Sequence, residues 1–395
     1  MKPRKTTRCS FLSLPGVLLA LLLLVALAGC SGETPGSSEE DTEETRADVE
    51  ETGAEMGEAA EVERMSARDA AGQMFIVGVG GTEPDYHIEK MVRERNIGGV
   101  LLFGNNMQSE EQTKGLTDSL QGLSLETRPS IPLFVMVDHE GGEVQHAPWV
   151  PQQPSAAEVG GRGDPEEARR VAYTLGRELR RGGVNTNLAP VVDTGNGAAI
   201  GSRSYGEDPS LVARMGTAAV GGFEEAGIVA SAKHFPNHGP ATEDSHLARP
   251  TVDHDLQTVL NSDLAPFRAA VEAGVQMVML GHLVYPAIDP QRPASLSPAA
   301  IDLLRGELGF EGVVVTDDLV MEGAARGGTT ADAALGAIEA GADLLIISGP
   351  PEEQAAAYEA VVAAVESGEI PRTRIDASVE RIEDIKNYYS LYSGD

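Results

Sequence analysis

The sequence predicts an α/β fold, a (β/α)8 TIM-like barrel in a single domain. Three features carry that expectation. Eight short apolar runs recur along the chain, longer amphipathic segments separate most of them, and several of those segments end at a glycine just before the next run. Strands buried on both faces read as continuous apolar stretches, and helices that hand over to strands commonly stop at glycine.

In order, the runs are QMFIVGV (73–79), GGVLLFG (98–104), PLFVMVD (132–138), VNTNLAPVV (184–192), IVASAKHF (228–235), QMVMLGH (276–282), GVVVTDD (312–318) and DLLIIS (343–348). Segments such as DPEEARRVAYTLGRELRRG and DPSLVARMGTAAVGGFEEAG lie between them, with apolar positions at helical spacing. Gly98, Gly182, Gly227, Gly274, Gly309 and Gly341 are the expected helix stops. Eight strand–helix units fit a closed barrel. A doubly wound open sheet would show a glycine-rich phosphate turn after its first strand, and VGVGGTEPD matches that pattern only weakly.

The first 63 residues read differently. MKPRKTTR supplies a basic n-region and VLLALLLLVALAGC a short apolar run ending in small residues, the pattern of a secretory signal over residues 1–29. Leu27-Ala28-Gly29-Cys30 resembles a bacterial lipobox. That implies cleavage before Cys30, diacylation of its thiol, and an extracytoplasmic protein held to the cell membrane by its N-terminal lipid. An ordinary signal with an incidental cysteine is the alternative. Residues 30–63 are rich in Glu and nearly free of large apolar side chains, so they bury too little to offset ordering entropy and form an acidic disordered tether. The folded domain then spans 64–395. No cysteine follows Cys30, which leaves no disulfide framework. With 61 acidic and 30 basic residues the net charge is −31, a surface that repels phosphate backbones and excludes nucleic acid as a partner.

In a (β/α)8 barrel the reacting groups gather at the C-terminal ends of the strands. Asp138, Asp193, Lys233, His234, His282 and Asp317 all stand at such positions. The segment KHFPNHGPATEDSH (233–246) holds three of the eight histidines. His234 and His238 have the spacing of two metal ligands on a helix, but Pro236 lies between them and Gly239 and Pro240 follow, which opposes a helix. A metal site assembled on a loop stays an alternative. A triad centred on Ser245 lacks the nucleophile elbow, and Ser245 lies between its supposed partners. Asp244, two residues before His246, can fix the imidazole tautomer and raise its basicity, which is what a general acid/base requires.

Taken with IGGVLLFGNN, VDHEGGEVQ, NLAPVVD, IGSRSYGEDP, GHLVYPAID, PASLSPAAIDLLRGELGFEGVVVTDDLVMEGA and AIEAGADLLIISG, this loop resembles the β-N-acetylhexosaminidases of glycoside hydrolase family 3. The motifs follow the family's order across nearly the whole folded part. The resemblance implies a retaining double displacement, with Asp317 as nucleophile, His246 as acid/base and Asp244 as its orienter. Asp318 is the local competitor of Asp317, because successive strand residues face opposite sides. Sugar contacts are implied for Asp138, Arg203, Lys233 and His234, while His238 receives no role. No motif indicates a metal, nucleotide or redox cofactor. The chain also departs from the family. Asn237 stands where glycine is usual, and EGGEVQH replaces EGGRVQR, so His146 takes the place of a basic sugar contact and Glu143 that of another arginine. Pro240 and Ala241 stiffen the loop.

The activity so implied is that of an exo-β-N-acetylglucosaminidase removing terminal GlcNAc from peptidoglycan fragments, such as muropeptides, or from related glycans. A GlcNAc-glycoside phosphorylase, a β-glucosidase of the same family and a non-catalytic lipid-anchored sugar-binding protein are the competing readings. The last of these would need none of Asp317, Asp244 and His246. Oligomeric state is left open by the sequence.

Overall fold

In the computed structural model, residues 65–391 are described apart from Asn196, Ala198, Asp244, His246, Leu247 and Arg326. The signal segment, Cys30, the acidic tether and both members of the Asp244–His246 pair therefore lie outside the described residues.

Each apolar run contributes one strand: β1 (Phe75–Gly78), β2 (Gly99–Leu102), β3 (Phe134–Val137), β4 (Thr186–Asn187), β5 (Val229–Phe235), β6 (Met277–Leu280), β7 (Val313–Thr316) and β8 (Leu345–Ile347). They pair in parallel in the order β8-β1-β2-β3-β4-β5-β6-β7. A bridge from Val315 to Leu344 joins the two ends, where Thr316 N–H donates to Leu344 O at 3.0 Å and Leu319 N–H to Ile346 O at 2.9 Å. The result is a closed (β/α)8 barrel. All of its strands but the last residue of β1 are buried, since one face meets the barrel interior and the other the helices. The fourth run yields only two paired residues. Pro190 has no N–H to offer the ladder, and pairing resumes beyond it in a single bridge from Val191 to Lys233.

The helical segments start where their sequences say they should. Asp164 caps Pro165–Arg181 by accepting from Glu166 N–H, and Asp208 caps Pro209–Glu225 by accepting from Ser210 N–H, each with proline in the first turn. Four expected glycine stops, Gly227, Gly274, Gly309 and Gly341, have the left-handed φ that ends a helix, between 65° and 118°. Two do not. Before β2 the left-handed residue is Asn96 (φ 47°), and Gly98 is needed because a Cβ there would collide with the Gln73 carbonyl oxygen. After Pro165–Arg181 the left-handed turn falls on Gly183 (φ 80°) rather than on Gly182.

The N-terminal side of the barrel holds a buried lysine. Lys386, on the helix Arg372–Tyr388, donates to Gln73 Oε1 and Gly98 O, both at 3.0 Å, and its ammonium lies 4.8 Å from the Phe134 ring centre. Burial drives its pKa from the ordinary 10.5 down to about 7, against the pull of Glu383. An unfolded chain keeps this proton up to about 10.5, so between those values the unfolded state binds more protons and the fold gains stability as pH rises. Thermal denaturation of Lys386→Met across pH 6.5–10 should show a smaller rise in stability with pH than the parent. Parallel curves for the two proteins would assign that pH dependence to other groups.

Candidate active site

Where β3 ends, Asp138 leads into a short hairpin of His139–Gly141 and Val144–Gln145. Asn187 of β4 fixes that hairpin by accepting from His139 N–H at 3.0 Å and donating to His139 O at 2.8 Å. Glu140 is thereby set inside the rim, where its side chain is 7% exposed. Arg203 grips it with both arms, Nε to Oε2 at 2.8 Å and Nη2 to Oε1 at 2.7 Å. Lys233, near the end of β5, donates to Glu140 Oε1 at 2.8 Å and also to Asp138. Burial alone would raise the Glu140 carboxyl, but Lys233 and Arg203 prevail and hold it down to about 2. Lys233, itself buried, stays charged because Asp138 and Glu140 outweigh desolvation. Two cations thus face two carboxylates, and the second oxygen of Asp138 has no partner among the described residues.

Beside this group lies a second fixed charge. Asp193 is fully buried beyond β4, and His234 and His238 hold its pKa below the usual carboxylate range against burial. It accepts from the backbone N–H of His234 at 3.1 Å, from that of His238 at 2.6 Å, and from His234 Nδ1 at 2.7 Å. An ionised acceptor makes Nδ1 the donor and leaves His234 Nε2 without a partner among the described residues. The Lys233–His234 and Phe235–Pro236 peptide bonds in this stretch are cis.

Asp317 and Asp318 follow β7, and their surroundings differ. Asp318 is engaged throughout: Oδ1 accepts from Ser348 N–H at 3.1 Å and Val320 N–H at 3.3 Å, and Oδ2 accepts from the Ser348 hydroxyl. Burial raises its pKa, with those bonds opposing. Asp317 accepts only one hydrogen bond from the described residues, from Asp318 N–H at 2.8 Å. Burial would raise its pKa too, but His282, His234, the Asp318 N–H and Lys233 hold it below the ordinary value. His282 is fixed between Ser295 Oγ (2.7 Å) and Asp318 O (2.9 Å). Asp317 is thus an ionised carboxylate at the C-terminal rim with an oxygen that no described residue engages, a state compatible with a nucleophile.

From Pro236 to Ala241 the loop after β5 is buried except for the half-buried Pro240. Asn237 pins it. Its Oδ1 accepts from Thr194 N–H and Gly239 N–H, both at 3.0 Å, and its Nδ2 donates to Thr194 Oγ1 at 2.7 Å and Asp263 Oδ1 at 2.9 Å. Thr242 and Glu243 are exposed, and Ser245 is buried again. Among the described residues no group of three or more His, Cys, Asp or Glu side chains is arranged to hold a metal ion.

Asp138, Arg203, Lys233, His234 and Asp317 are therefore brought to one rim. His146 is not among their partners: its backbone N–H donates to His139 Nδ1 at 3.2 Å, and its half-buried imidazole lies beside Gly104. Asp244 and His246 are outside the described residues. Sequence reading passed over Glu140 and Asn187, and it gave His238 no role. Only Glu140 carried a usable signal, since it lies two residues beyond Asp138, the period that returns a side chain to the same face of an extended segment.

Residues 66–385 match the glycosyl hydrolase family 3 N-terminal domain. The chain is 36% identical to the β-hexosaminidase of Thiobacillus denitrificans over 288 residues, covering 70% of this chain and 79% of that protein. It is 34% identical to β-hexosaminidase A of Pseudoalteromonas piscicida over 327 residues, 76% of this chain, and spans about half that relative's length (54%). Among solved structures, a family 3 β-N-acetylglucosaminidase from Paenibacillus sp. str. FPU-7 superposes with TM-score 0.81 at 41% identity, covering 83% of this chain and 63% of that one. A β-N-acetylhexosaminidase from Beutenbergia cavernae DSM 12333 gives 0.76 at 32% identity, covering 82% and 99%. The chain belongs to glycosyl hydrolase family 3.

Glu140 offers a test of the charge balance at the rim. Glu140→Gln keeps the shape but leaves Lys233 and Arg203 with one carboxylate between them. Breaking a buried pair costs roughly 3–5 kcal/mol, so denaturant unfolding should show a loss of that order together with weaker substrate binding. A variant as stable as the parent would mean that water, not Glu140, satisfies the two cations.

Proposed function

We propose that this protein is a retaining exo-β-N-acetylglucosaminidase that hydrolyses terminal β-linked GlcNAc from peptidoglycan fragments or related glycans. The observation that supports this best is the contrast between Asp317 and Asp318. One carboxylate is ionised and has an oxygen that no described residue engages, and the other is consumed by Ser348 and Val320. The names of the similar proteins, β-hexosaminidase and β-N-acetylglucosaminidase, support the sugar.

In the first step an Asp317 oxygen bonds to the anomeric carbon as the glycosidic oxygen leaves, taking a proton from His246. In the second step His246 removes a proton from water, the water oxygen bonds to the anomeric carbon, and the Asp317 carboxylate departs. Asp244 orients the imidazole. The Asp138 oxygen that no described residue engages and the N–H groups of Lys233 and Arg203 face sugar hydroxyls, with Glu140 holding the two cations in place. Upstream, Cys30 carries the lipid that anchors the enzyme outside the cytoplasmic membrane, and residues 30–63 act as its tether.

Asp317→Ala should reduce hydrolysis of nitrophenyl β-GlcNAc to background while the protein keeps its fold, because the side chain makes a single hydrogen bond with the described residues. Asp318→Ala should instead lower the melting temperature, since it removes three anchors of the loop after β7. A 2-fluoro glycoside should label Asp317. Labelling of Asp318, or an active Asp317→Ala, would sink the assignment. Nitrophenyl glucoside turned over faster than its GlcNAc counterpart, or turnover that requires phosphate, would replace the activity proposed here.

In cells, Cys30→Ala should release the protein from membranes or block its processing. Two acyl chains, at about 0.8 kcal/mol per buried methylene, make the difference between stable anchoring and none. Full membrane retention of the variant would remove the lipid from the account.

A further inference from the structure

A cleft of about 330 Å³ opens where β8 and β1 end, on the same rim as Asp317. Gly78 and Ser348 border it, together with Asp85 and His87 at the start of the helix Tyr86–Arg95 and Gln354 of the helix Pro351–Ser367. Its walls are held in place by the fold. Asn106, fully buried, donates to Val79 O at 2.9 Å and to Gly81 O at 2.8 Å, which fixes the loop after β1. Gln354, 2% exposed, donates to Gly78 O at 3.2 Å and to Gly349 O at 2.8 Å. With its amide nitrogen so engaged, Gln354 meets His87 Nε2 through Oε1, at 2.8 Å, and accepts from it. His87 Nδ1 then has no partner among the described residues. Asp85 Oδ1 caps the helix by accepting from Ile88 N–H at 2.9 Å, and no described residue engages Oδ2. A Cβ on Gly80 would stand 3.1 Å from that oxygen, so the glycine keeps the approach to it open. Tyr86, between these two residues in the chain, is 80% exposed.

A carboxylate oxygen and an imidazole nitrogen are thus open to donors, and no lysine or arginine lines the cleft. That chemistry suits a ligand rich in hydroxyl groups rather than an anion. A pyranose adds apolar C–H faces, which pack on an exposed aromatic ring such as that of Tyr86. The place of the cleft says which sugar. Ser348 borders it and also donates its N–H to Asp318 at 3.1 Å, so a single residue stands between the cleft wall and Asp317. The charged groups offered to the terminal sugar belong to β3, β4 and β5 and the loops that follow them, and in the strand order Asp317 lies between that group and the cleft. We propose that the cleft is the subsite for the sugar on the leaving-group side of the cleaved bond. Asp85 Oδ2 and His87 Nδ1 accept from its hydroxyls, and Tyr86 packs against its face. This rests on Asp317 as the nucleophile of the activity proposed above.

Two substrates isolate the subsite, because only one of them brings a sugar to it. The quantity to follow is kcat/KM on the β-linked GlcNAc disaccharide divided by kcat/KM on nitrophenyl β-GlcNAc. Asp85→Asn keeps the helix cap, since asparagine caps as well as aspartate, but replaces an acceptor oxygen by a donor. It should lower the ratio roughly tenfold, the usual loss for a hydrogen bond to a carboxylate. Tyr86→Ala should lower it roughly three- to tenfold through the lost ring contact, and His87→Ala should act in the same direction. The change should fall mainly on KM for the disaccharide. In an Asp317→Ala background, calorimetry should find the disaccharide bound more tightly than GlcNAc alone, and adding Tyr86→Ala should remove most of that difference.

An unchanged ratio in Asp85→Asn or in Tyr86→Ala, or a disaccharide bound no more tightly than GlcNAc, would overturn the subsite. Side chains with a merely structural role would lower both substrates together and leave the ratio where it was. Should Asp85→Asn or His87→Ala fail to fold, Tyr86→Ala decides the matter, because that residue is 80% exposed. The two readings fail differently. A parent that cleaves neither substrate, or an active Asp317→Ala, removes the proposed activity and the subsite with it. If the parent cleaves both, Asp317→Ala is inactive and the ratio does not move, only the subsite falls.

Discussion

The buried charge of Asp193 is the constraint around which the rim is arranged. A carboxylate removed from water persists only where fixed donors replace its hydration. Here the donors come from one short loop: the backbone N–H groups of His234 and His238 and the His234 ring. Because the two backbone donors lie four residues apart, the carboxylate closes the base of the loop into a ring and sets the direction in which the chain leaves β5. The ring orientation of His234 follows from that anchoring.

A second layer of charge sets the electrostatics. Lys233 and Arg203 converge on Glu140 with Asp138 at the edge, so a cationic pair is held within reach of the rim without being left unpaired. His282, His234 and Lys233 also lower the Asp317 pKa, while burial and the neighbouring Asp317 raise that of Asp318 against its hydrogen bonds to Ser348 and Val320. Adjacent residues with the same side chain thus receive opposite shifts. One becomes an available anion and the other a structural acceptor, and the difference lies in what the neighbouring strands bring to each.

The Asn237 departure from the usual glycine is absorbed by the structure. Its amide is fully satisfied, and through Asp263 it reaches His254, which bonds Asp263 Oδ2 at 2.8 Å. Tyr285 donates its hydroxyl to the Asn237 carbonyl from the β6 side. A glycine would leave Asp263 Oδ1 and Thr194 N–H without this partner, so in this chain the loop stem is cross-linked to the segment Val259–Asp263 by a side chain that glycine cannot supply.

The barrel was legible in the sequence because burial on both faces leaves a local mark, a continuous apolar run, and all eight runs became strands. Asp317 was legible for a similar reason, since the end of a barrel strand is a place that can be counted to. That Asp318 and not Asp317 is engaged by other side chains only became visible with Ser348, thirty residues away in the chain. Glu140, Asn187 and the Ser245 contact of His238 left little or no local mark. Their partners come from other strands or from across the loop, and hydrogen-bond pairing over such separations has no period in the chain. Sequence by itself determined the strands, the helix starts and the residue types present at the rim. Only the side-by-side pairing of β3, β4 and β5 decided which of those groups would share a charge, because desolvation and pairing depend on neighbours in space, not on neighbours in the chain.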